Sequence, residues 1–197
     1  MKENIIIREL KEHWPFSLGA SLVAGLLIIL ISFLGGDIIP LVGNLFEIFH
    51  PAHVLFSAAA TSAIYYKYRK SVIGAIFVGV IGAIFIGSLS DVFLPWIAGN
   101  IFSLQTSFHL PIFESPLKIL AVGLIGALVG IYAGLFKLNH SLHVFLSVFA
   151  SLFYLLAFSV ALNTWKIIAM SLIVFFAVYL PCCISDIVFP LWFVKKK

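Results

Sequence analysis

Long apolar stretches separated by short polar connections make up most of the chain. A helix needs about 20 residues, most of them apolar, to cross the hydrocarbon core of a bilayer. Six stretches approach or exceed that length, so the pattern predicts an all-α, polytopic membrane protein of about six transmembrane helices. The six predicted spans are Phe16–Leu34, Pro51–Tyr66, Ser71–Pro95, Lys118–Phe136, Leu142–Leu162 and Ile167–Trp192.

Three segments beside these spans need a separate interpretation. The segment Gly35–Phe49 is apolar but interrupted by glycine and proline, so we expect a re-entrant or interfacial segment there rather than a span. The segment Ile97–Glu114 is similar, and we expect it to contain a short external helix. Residues 1–14 combine isoleucine and leucine with charged residues, which indicates an amphipathic interfacial helix.

Small residues recur within the fourth span at intervals of three or four positions. In membrane helices such a run is typical of a face that lets two backbones approach closely. The residues concerned are Gly123, Gly126, Gly130 and Gly134.

Composition supports a lipid environment for this chain. Hydrophobic residues make up 62% of it and charged residues only 10%, and the mean hydropathy is +1.17. Soluble domains are about 45–50% apolar and about 25% charged. The chain therefore has too few polar residues to cover its own core, which argues against a soluble globular domain.

The net charge is +4, from 12 lysines and arginines against 8 acidic residues. Half of the basic residues lie in two short clusters at predicted span ends, at 67–70 and 195–197. Such clusters are typical of cytoplasmic loops, so we expect both termini in the cytoplasm and no nucleic-acid partner. The connection 100–116 contains no lysine or arginine and is expected to be external. A bacterial inner membrane is the expected location.

Two polar motifs occur once in each half of the chain, in the same order. The motif H-x-x-H-V-x-x-S covers His50–Ser57 and His140–Ser147, and S-D-x-x-x-P covers Ser90–Pro95 and Ser185–Pro190. Four of the six histidines fall within them. We infer an internal duplication, with a first repeat at 15–99 and a second at 117–197. Three spans per repeat would place the two copies in opposite orientations, as in many secondary transporters.

The residue types in these motifs are suited to binding a cation. Histidines at positions i and i+3 of a helix project from one face and can share one metal ion. Each aspartate lies four residues before a proline, which cannot donate a hydrogen bond to the aspartate's carbonyl. Ionisable residues within spans are costly and therefore candidates for function. The predicted metal ligands are His50, His53, Asp91, His140, His143 and Asp186, with Ser57, Ser90, Ser147 and Ser185 as supporting polar residues.

Imidazole and carboxylate ligands favour a divalent transition metal ion, namely Zn, Fe, Mn, Co or Ni. The adjacent Cys182 and Cys183 have no counterpart in the first half, which weakens the case for Cu(I) and leaves them as packing residues. A purely structural role is the competing interpretation, because histidine is common at span ends and serine or aspartate before proline is common at helix ends. The recurrence of both motifs favours a functional role.

The sequence favours a transporter or channel that moves a divalent metal ion as its small cation substrate across the lipid bilayer. The favoured interpretation is therefore not an enzyme. Two alternatives stay open. One alternative is an intramembrane metal-dependent enzyme acting on a lipid or another membrane substrate. The other is an accessory or sensor subunit that binds metal without moving it. The sequence also leaves open whether the two His/Asp clusters form one site or two, and whether the chain forms a homo-oligomer.

Overall fold

The computed structural model describes residues 39–133, 136–159, 164–184 and 188–193, with scattered positions between 15 and 30. Some helical side chains in these ranges are outside the description: those of 39, 40, 136–141, 164, 167, 168, 171, 179, 180, 182 and 183. The described residues form helices and connections without a strand, which confirms the all-α prediction. The predicted helix at 1–14 and most of the predicted first span lie outside the described residues.

Eight α-helices and one π-helix have both ends within the described ranges, and Ile184 and Val188 are also π-helical. The helices with both ends described are α1 (Ile39–Tyr68), α2 (Val72–Ser88), a π-helix (Leu89–Phe93), α3 (Leu94–Ile101), α4 (Pro111–Glu114), α5 (Pro116–Ala133), α6 (Phe136–Phe158), α7 (Thr164–Cys183) and α8 (Phe189–Trp192). Helix α2, the π-helix and α3 follow without a break. The short helix expected within Ile97–Glu114 is present as α4, only four residues long.

The prediction that Gly35–Phe49 is separate from the following span is wrong for its described part. Helix α1 begins at Ile39 and continues for 30 residues through Pro51. Pro40 is the second residue of the helix, where the missing N–H would have no partner within the helix in any case. Pro40 therefore marks the start of a helix, and Gly43 lies within that helix rather than interrupting it.

The proline within α1 is accommodated by a contact from another helix. Pro51 cannot donate a hydrogen bond to the carbonyl of Glu47, four residues earlier. The ammonium group of Lys118, in α5, donates to that carbonyl at 2.9 Å and to Oε2 of the Glu47 carboxylate at 3.3 Å. The exposed lysine thus replaces the hydrogen bond that the proline removes.

Glu47 belongs to a polar network at this end of α1. Nε2 of His109 is 3.2 Å from its Oε1, and Nδ1 of His109 is 2.7 Å from Oε1 of Glu114. Partial burial raises the pKa of the Glu47 carboxyl, but hydrogen bonds from His109 and Lys118 outweigh it and leave that pKa below its ordinary value of 4.5.

The lowered pKa of Glu47 predicts an acid-sensitive contribution to stability. A carboxyl whose pKa is lower in the folded state stabilises the fold above its unfolded pKa and loses that effect as the pH falls through the folded value. We expect the melting temperature to fall between about pH 6 and about pH 3, and to fall less in Glu47→Gln. Thermal melts of both proteins in detergent at the two pH values test this. Equal falls in both would contradict it.

Helix α1 lies at the centre of the described fold and packs against α2, α5 and α6. Its contact with α5 depends on glycine. A Cβ added at Gly126 would collide with the carbonyl oxygen of Leu55, and one at Gly130 would collide with that of Ala59. These two positions confirm the predicted close packing, whereas Gly123 has only ordinary contacts and Gly134 lies outside the described residues.

Helices α1 and α6 run antiparallel. Phe46, early in α1, contacts Phe158 at the end of α6, with ring centroids 5.8 Å apart. His53, seven residues further along α1, contacts His143 near the start of α6. A hydrophobic cluster between α1, α3, α6 and α7 fills one side of this pair, and a second cluster fills the side between α1, α2 and α5.

Two of the described stretches are long and apolar enough to cross a membrane, Val72–Ile101 and Pro116–Ala133, with mean hydropathies of 2.5 and 1.9. In the most apolar 18 residues of each stretch, only 39% and 33% respectively are buried within the protein. Large apolar side chains such as Ile73, Phe77 and Phe85 are exposed. Six spans are more than this criterion identifies, so that number stays a prediction.

Candidate metal centre

A polar face runs along α1 in the interior of the protein. His50, His53, Ser57 and Thr61 follow each other at intervals of three or four residues and are all fully buried. This spacing places them on one side of the helix. The predicted polar face of α1 is therefore present, and it points into the fold, away from the exposed apolar surface.

Asp91 reaches this face from the π-helix between α2 and α3. Pro95 has no N–H, so an ordinary α-helical bond from it to the Asp91 carbonyl cannot form. The chain widens here, and the N–H of Leu94 donates to the carbonyl of Leu89, five residues earlier. Ser90, Asp91 and Val92 are all buried within this turn. π-helical turns of this kind are frequent at functional sites.

The Asp91 carboxylate joins the two histidines of α1. Its Oδ2 lies 2.9 Å from Nδ1 of His50 and 2.6 Å from Nδ1 of His53. Because a carboxylate oxygen only accepts hydrogen bonds, Nδ1 of each histidine carries the hydrogen. In the neutral imidazole the lone pair is then on Nε2, the atom that most often binds a metal when a carboxylate holds the other ring nitrogen.

Serines from both halves of the chain complete the hydrogen bonding of Asp91. Its Oδ1 accepts from the hydroxyl of Ser90 at 2.9 Å and from that of Ser147, in α6, at 2.7 Å. Ser151, one turn further along α6, donates to the carbonyl of Ser90 at 3.1 Å. Helix α6 therefore holds the π-helix in place through two hydroxyl groups.

The site contains a buried negative charge without a basic partner. The side-chain partners of Asp91 among the described residues are histidine and serine, with no lysine or arginine. With neutral histidines the group has a net charge of −1 in a fully buried position. Burial of an ionised carboxylate is costly unless a cation compensates it. A proton or a metal ion would supply that compensation.

The geometry fits a metal ion. One potential ligand atom from each of His50, His53 and Asp91 lies within 4.8 Å of the other two, close enough to hold one ion. While Nδ1 of each histidine donates to Asp91, the histidines would bind the ion through Nε2 and Asp91 would orient them. Nε2 of His50 is buried, and none of the described residues gives it a hydrogen bond. An unsatisfied buried nitrogen costs about 1–3 kcal/mol, and a metal ion is a partner that would remove this cost. Nothing in the arrangement selects one metal over another.

The second half of the chain contributes a histidine to the same place. The rings of His53 and His143 are stacked, with centroids 4.9 Å apart and an angle of 8° between their planes. His143 and Ser147 are both fully buried. His143 therefore lies next to the first cluster, a closeness that the sequence had left open.

Three other predicted site residues lie outside the description. Ser185 and Asp186 are not described, and His140 is described only as part of helix α6. Their predicted role in binding stays a prediction. The described neighbours of Ser185 and Asp186, Ile184 and Val188, are π-helical, as are Leu89 and Phe93 on either side of Ser90 and Asp91.

Sequence reasoning missed two features of this region. It treated Ser147 as a partner of the second motif, whereas the hydroxyl of Ser147 binds Asp91 of the first. It also assigned no role to His109, which links Glu47 to Glu114. Glu47 lies four residues before Pro51, the spacing that drew attention to Asp91, and that signal could have indicated the network.

Comparison of this chain with models of protein families, with curated protein sequences and with solved structures finds no match, so its function is inferred here from the site itself.

Proposed function

We propose that this chain is a membrane transporter or channel for a divalent metal ion, with His50, His53 and Asp91 in its binding site. The observation that carries the proposal is the buried Asp91 carboxylate, which two histidines and two serines surround and no described basic residue neutralises. Such a site attracts a cation. It lies inside a protein whose exposed surface is rich in large apolar side chains.

The proposal includes six spans arranged as two inverted three-helix repeats. The two helices that contain the H-x-x-H motif, α1 and α6, run antiparallel, as copies of opposite orientation would. The two halves also pack against each other in a corresponding way. Helix α8, from the second half, packs against α1 and α2, and helix α3, from the first half, packs against α6 and α7. His53 and His143 occupy equivalent motif positions and stack on each other. These features support a pseudo-two-fold axis between the two histidines.

The orientation in the membrane follows from charge and length. Glu47 and Lys67 are 20 residues apart on α1, which corresponds to about 30 Å along the helix, the thickness of a hydrocarbon core. Lys67, Arg69 and Lys70 mark one end of α1 and would lie in the cytoplasm. The end with Glu47 would then be external, and His50 and His53 would lie between the two faces.

Transport is favoured over catalysis by the pairing of equivalent histidines at one place. A transporter that exposes one site alternately to each side needs contributions from both repeats. A metalloenzyme needs one asymmetric set, with a reacting group directed at the substrate. The stacked His53 and His143 agree with the first arrangement, and the enzyme and the accessory subunit become outcomes of the test.

The test is uptake of Zn²⁺, Mn²⁺ and Co²⁺ by liposomes containing the purified protein. We expect uptake of at least one of these ions by the wild-type protein, and a fall of at least about tenfold in both His53→Ala and His143→Ala. Ser62→Ala is the matched control, because Ser62 is buried on the same helix but donates to the carbonyl of Ala75, away from the site. It should leave uptake unchanged.

Four results would contradict the proposal. One is the absence of uptake for every ion tested. Another is unchanged uptake in both histidine variants. Metal retained in stoichiometric amounts without uptake would favour an accessory or sensor subunit instead, and turnover of a lipid substrate with unequal losses in the two variants would favour an enzyme.

A further inference from the structure

Phe46 separates the buried site from one end of the protein. Its side chain is fully buried. Its ring stacks on that of His50, with centroids 5.5 Å apart and planes at 23°. It also packs against the ring of His109 at an interplanar angle of 66°, with centroids 5.8 Å apart. One aromatic ring therefore contacts both a histidine of the buried site and a histidine of the polar network at the end of α1.

The residues beyond Phe46 are open to solvent and rich in carboxylates. The side chains of Glu47 and Glu114 are 40% and 52% exposed, and that of His109 is 20% exposed. Glu47, Glu114 and Lys118 contribute two negative charges and one positive charge, and His109 adds a positive charge when both of its ring nitrogens donate to the carboxylates. The two carboxylates are the groups in this cluster that can attract a cation. The basic residues Lys67, Arg69 and Lys70 lie at the other end of α1.

The distance between the two regions is short. His50 is three residues beyond Glu47 on α1, which corresponds to about 5 Å along the helix axis. Phe46 is one turn before His50 on the same face. Tyr154 and Phe158 of α6 also contact the Phe46 ring, at 5.5 and 5.8 Å between centroids. The aromatic ring is thus the apolar layer between a hydrated cluster and the buried histidine.

We propose that Phe46 is a gate, and that a divalent cation passes it on the way between the Glu47–His109–Glu114 cluster and His50. The inference rests on the proposed function and adds the route by which the ion reaches the site. Apolar constrictions are known to gate ion pathways by excluding water. The ring must turn aside to let the ion pass, and the carboxylates outside it supply the attraction that brings the ion there.

A gate and a structural residue differ in how their loss changes binding kinetics. Loss of a gate raises the association and dissociation rates by the same factor and leaves the affinity unchanged. Loss of a residue that shapes the site changes the affinity. The experiment is stopped-flow binding of Co²⁺ to the purified protein in detergent, because the absorption of this ion reports coordination by histidine. We expect Phe46→Ala to raise both rates by about tenfold, as removal of a required conformational step does.

Phe49→Ala is the matched control. Phe49 lies on the same helix three residues later, and its ring contacts Phe149 and Phe153 instead of the two histidines. It should leave both rates unchanged. If Phe46→Ala fails to fold, Phe46→Leu replaces it, because leucine retains an apolar branched side chain and still opens part of the ring's space. The expected changes have the same sign and are smaller.

A second pair of variants tests the direction of entry. Removal of a charge at the entrance changes the association rate and its dependence on salt, with little effect on dissociation. We expect Glu47→Gln to slow association by a few-fold at low ionic strength. Lys70→Gln, at the opposite end of α1, should leave association unchanged. The proposed route is overturned if neither variant associates with the ion more slowly than the wild-type protein, or if Lys70→Gln alone does.

The gate and the proposed function fail in different ways. If Co²⁺ binds the wild-type protein and both the Ala and Leu variants of Phe46 leave the rates unchanged, or change the affinity alone, the gate is overturned and the metal site stands. If the wild-type protein binds no Co²⁺, Zn²⁺ or Mn²⁺, the proposed function is overturned and the gate with it.

Discussion

Asp91→Asn is expected to abolish the stabilisation of this protein by divalent metal ions. Asparagine has the shape of aspartate and can still accept hydrogen bonds from His50 and His53, but it lacks the negative charge that holds a cation. A ligand present at about 100 times its Kd stabilises a folded protein by about 2.7 kcal/mol. Thermal melts in detergent should show this increase with Zn²⁺, Mn²⁺ or Co²⁺ for the wild-type protein and none for Asp91→Asn. In the uptake assay of the proposed function, we expect the rate for Asp91→Asn to fall by about 10- to 100-fold.

The control for this prediction is a buried polar residue outside the site. The hydroxyl of Thr106, in the loop that precedes α4, is 3.0 Å from the hydroxyl of Ser159, which follows α6. Thr106→Val removes this contact at nearly constant volume, so it should lower the melting temperature without changing the effect of metal. An Asp91→Asn protein that still responds to metal as the wild type does would show that the carboxylate is not needed. The variant without metal should melt close to the wild type, because asparagine avoids a buried charge.

Gly130→Ala is expected to have the largest effect on stability. The added Cβ would collide with the main-chain carbonyl of Ala59, so neither helix can accommodate it by turning a side chain. Separation of α5 from α1 would weaken the hydrophobic cluster between α1, α2 and α5. Overpacking in a well-packed core costs about 1–3 kcal/mol and sometimes more. A thermal melt in detergent, with the yield of folded protein by size-exclusion chromatography, measures the loss.

Gly123→Ala is the matched control on the same helix. A Cβ at Gly123 would lie 3.5 Å from the nearest atom, Cγ1 of Val80, which is an ordinary contact. Alanine also favours a helix over glycine by about 1 kcal/mol. We therefore expect Gly123→Ala to be neutral or stabilising. Equal melting temperatures for the two variants would mean that the contact between α1 and α5 is less tight than described.

The local parts of the site could be predicted from the sequence. The spacing of His50 and His53 places both on one helical face whatever surrounds the helix, because three residues correspond to nearly one turn. A proline four residues after Asp91 disturbs any helix that contains it, and the chain adopts a π-helix at that point. The two features depend on neighbours in the chain, and both are present in the described residues.

The partners of these groups could not be predicted in the same way. Asp91 could have bonded to His50 and His53 alone, yet it also accepts a hydrogen bond from Ser147 in the other half of the chain. The choice depends on the position of α6 along α1. Apolar side chains of similar size cover both helices, and many registers between them would bury comparable area. A pattern of apolar and polar residues does not distinguish those registers.

The start of α1 is a second place where local sequence preferences did not predict the structure. Glycine and proline between positions 35 and 49 predicted an interruption, because both are unfavourable inside a helix. The structure instead has Pro40 in the first turn of α1, and the helix continues through Pro51, where the ammonium group of Lys118 donates to the carbonyl that the proline leaves free. Residues 71 positions apart in the chain form that contact, so local preferences could not reveal it.

The sequence by itself determined that the protein is built from apolar helices, and that two copies of a His and Asp motif lie at equivalent points of its halves. The spacing of apolar and polar residues along the chain suffices for those conclusions. Only the tertiary structure decided that His53 meets His143 and that Phe46 lies between His50 and His109. These contacts follow from the antiparallel packing of α1 and α6, whose register depends on how side chains far apart in the chain fit together.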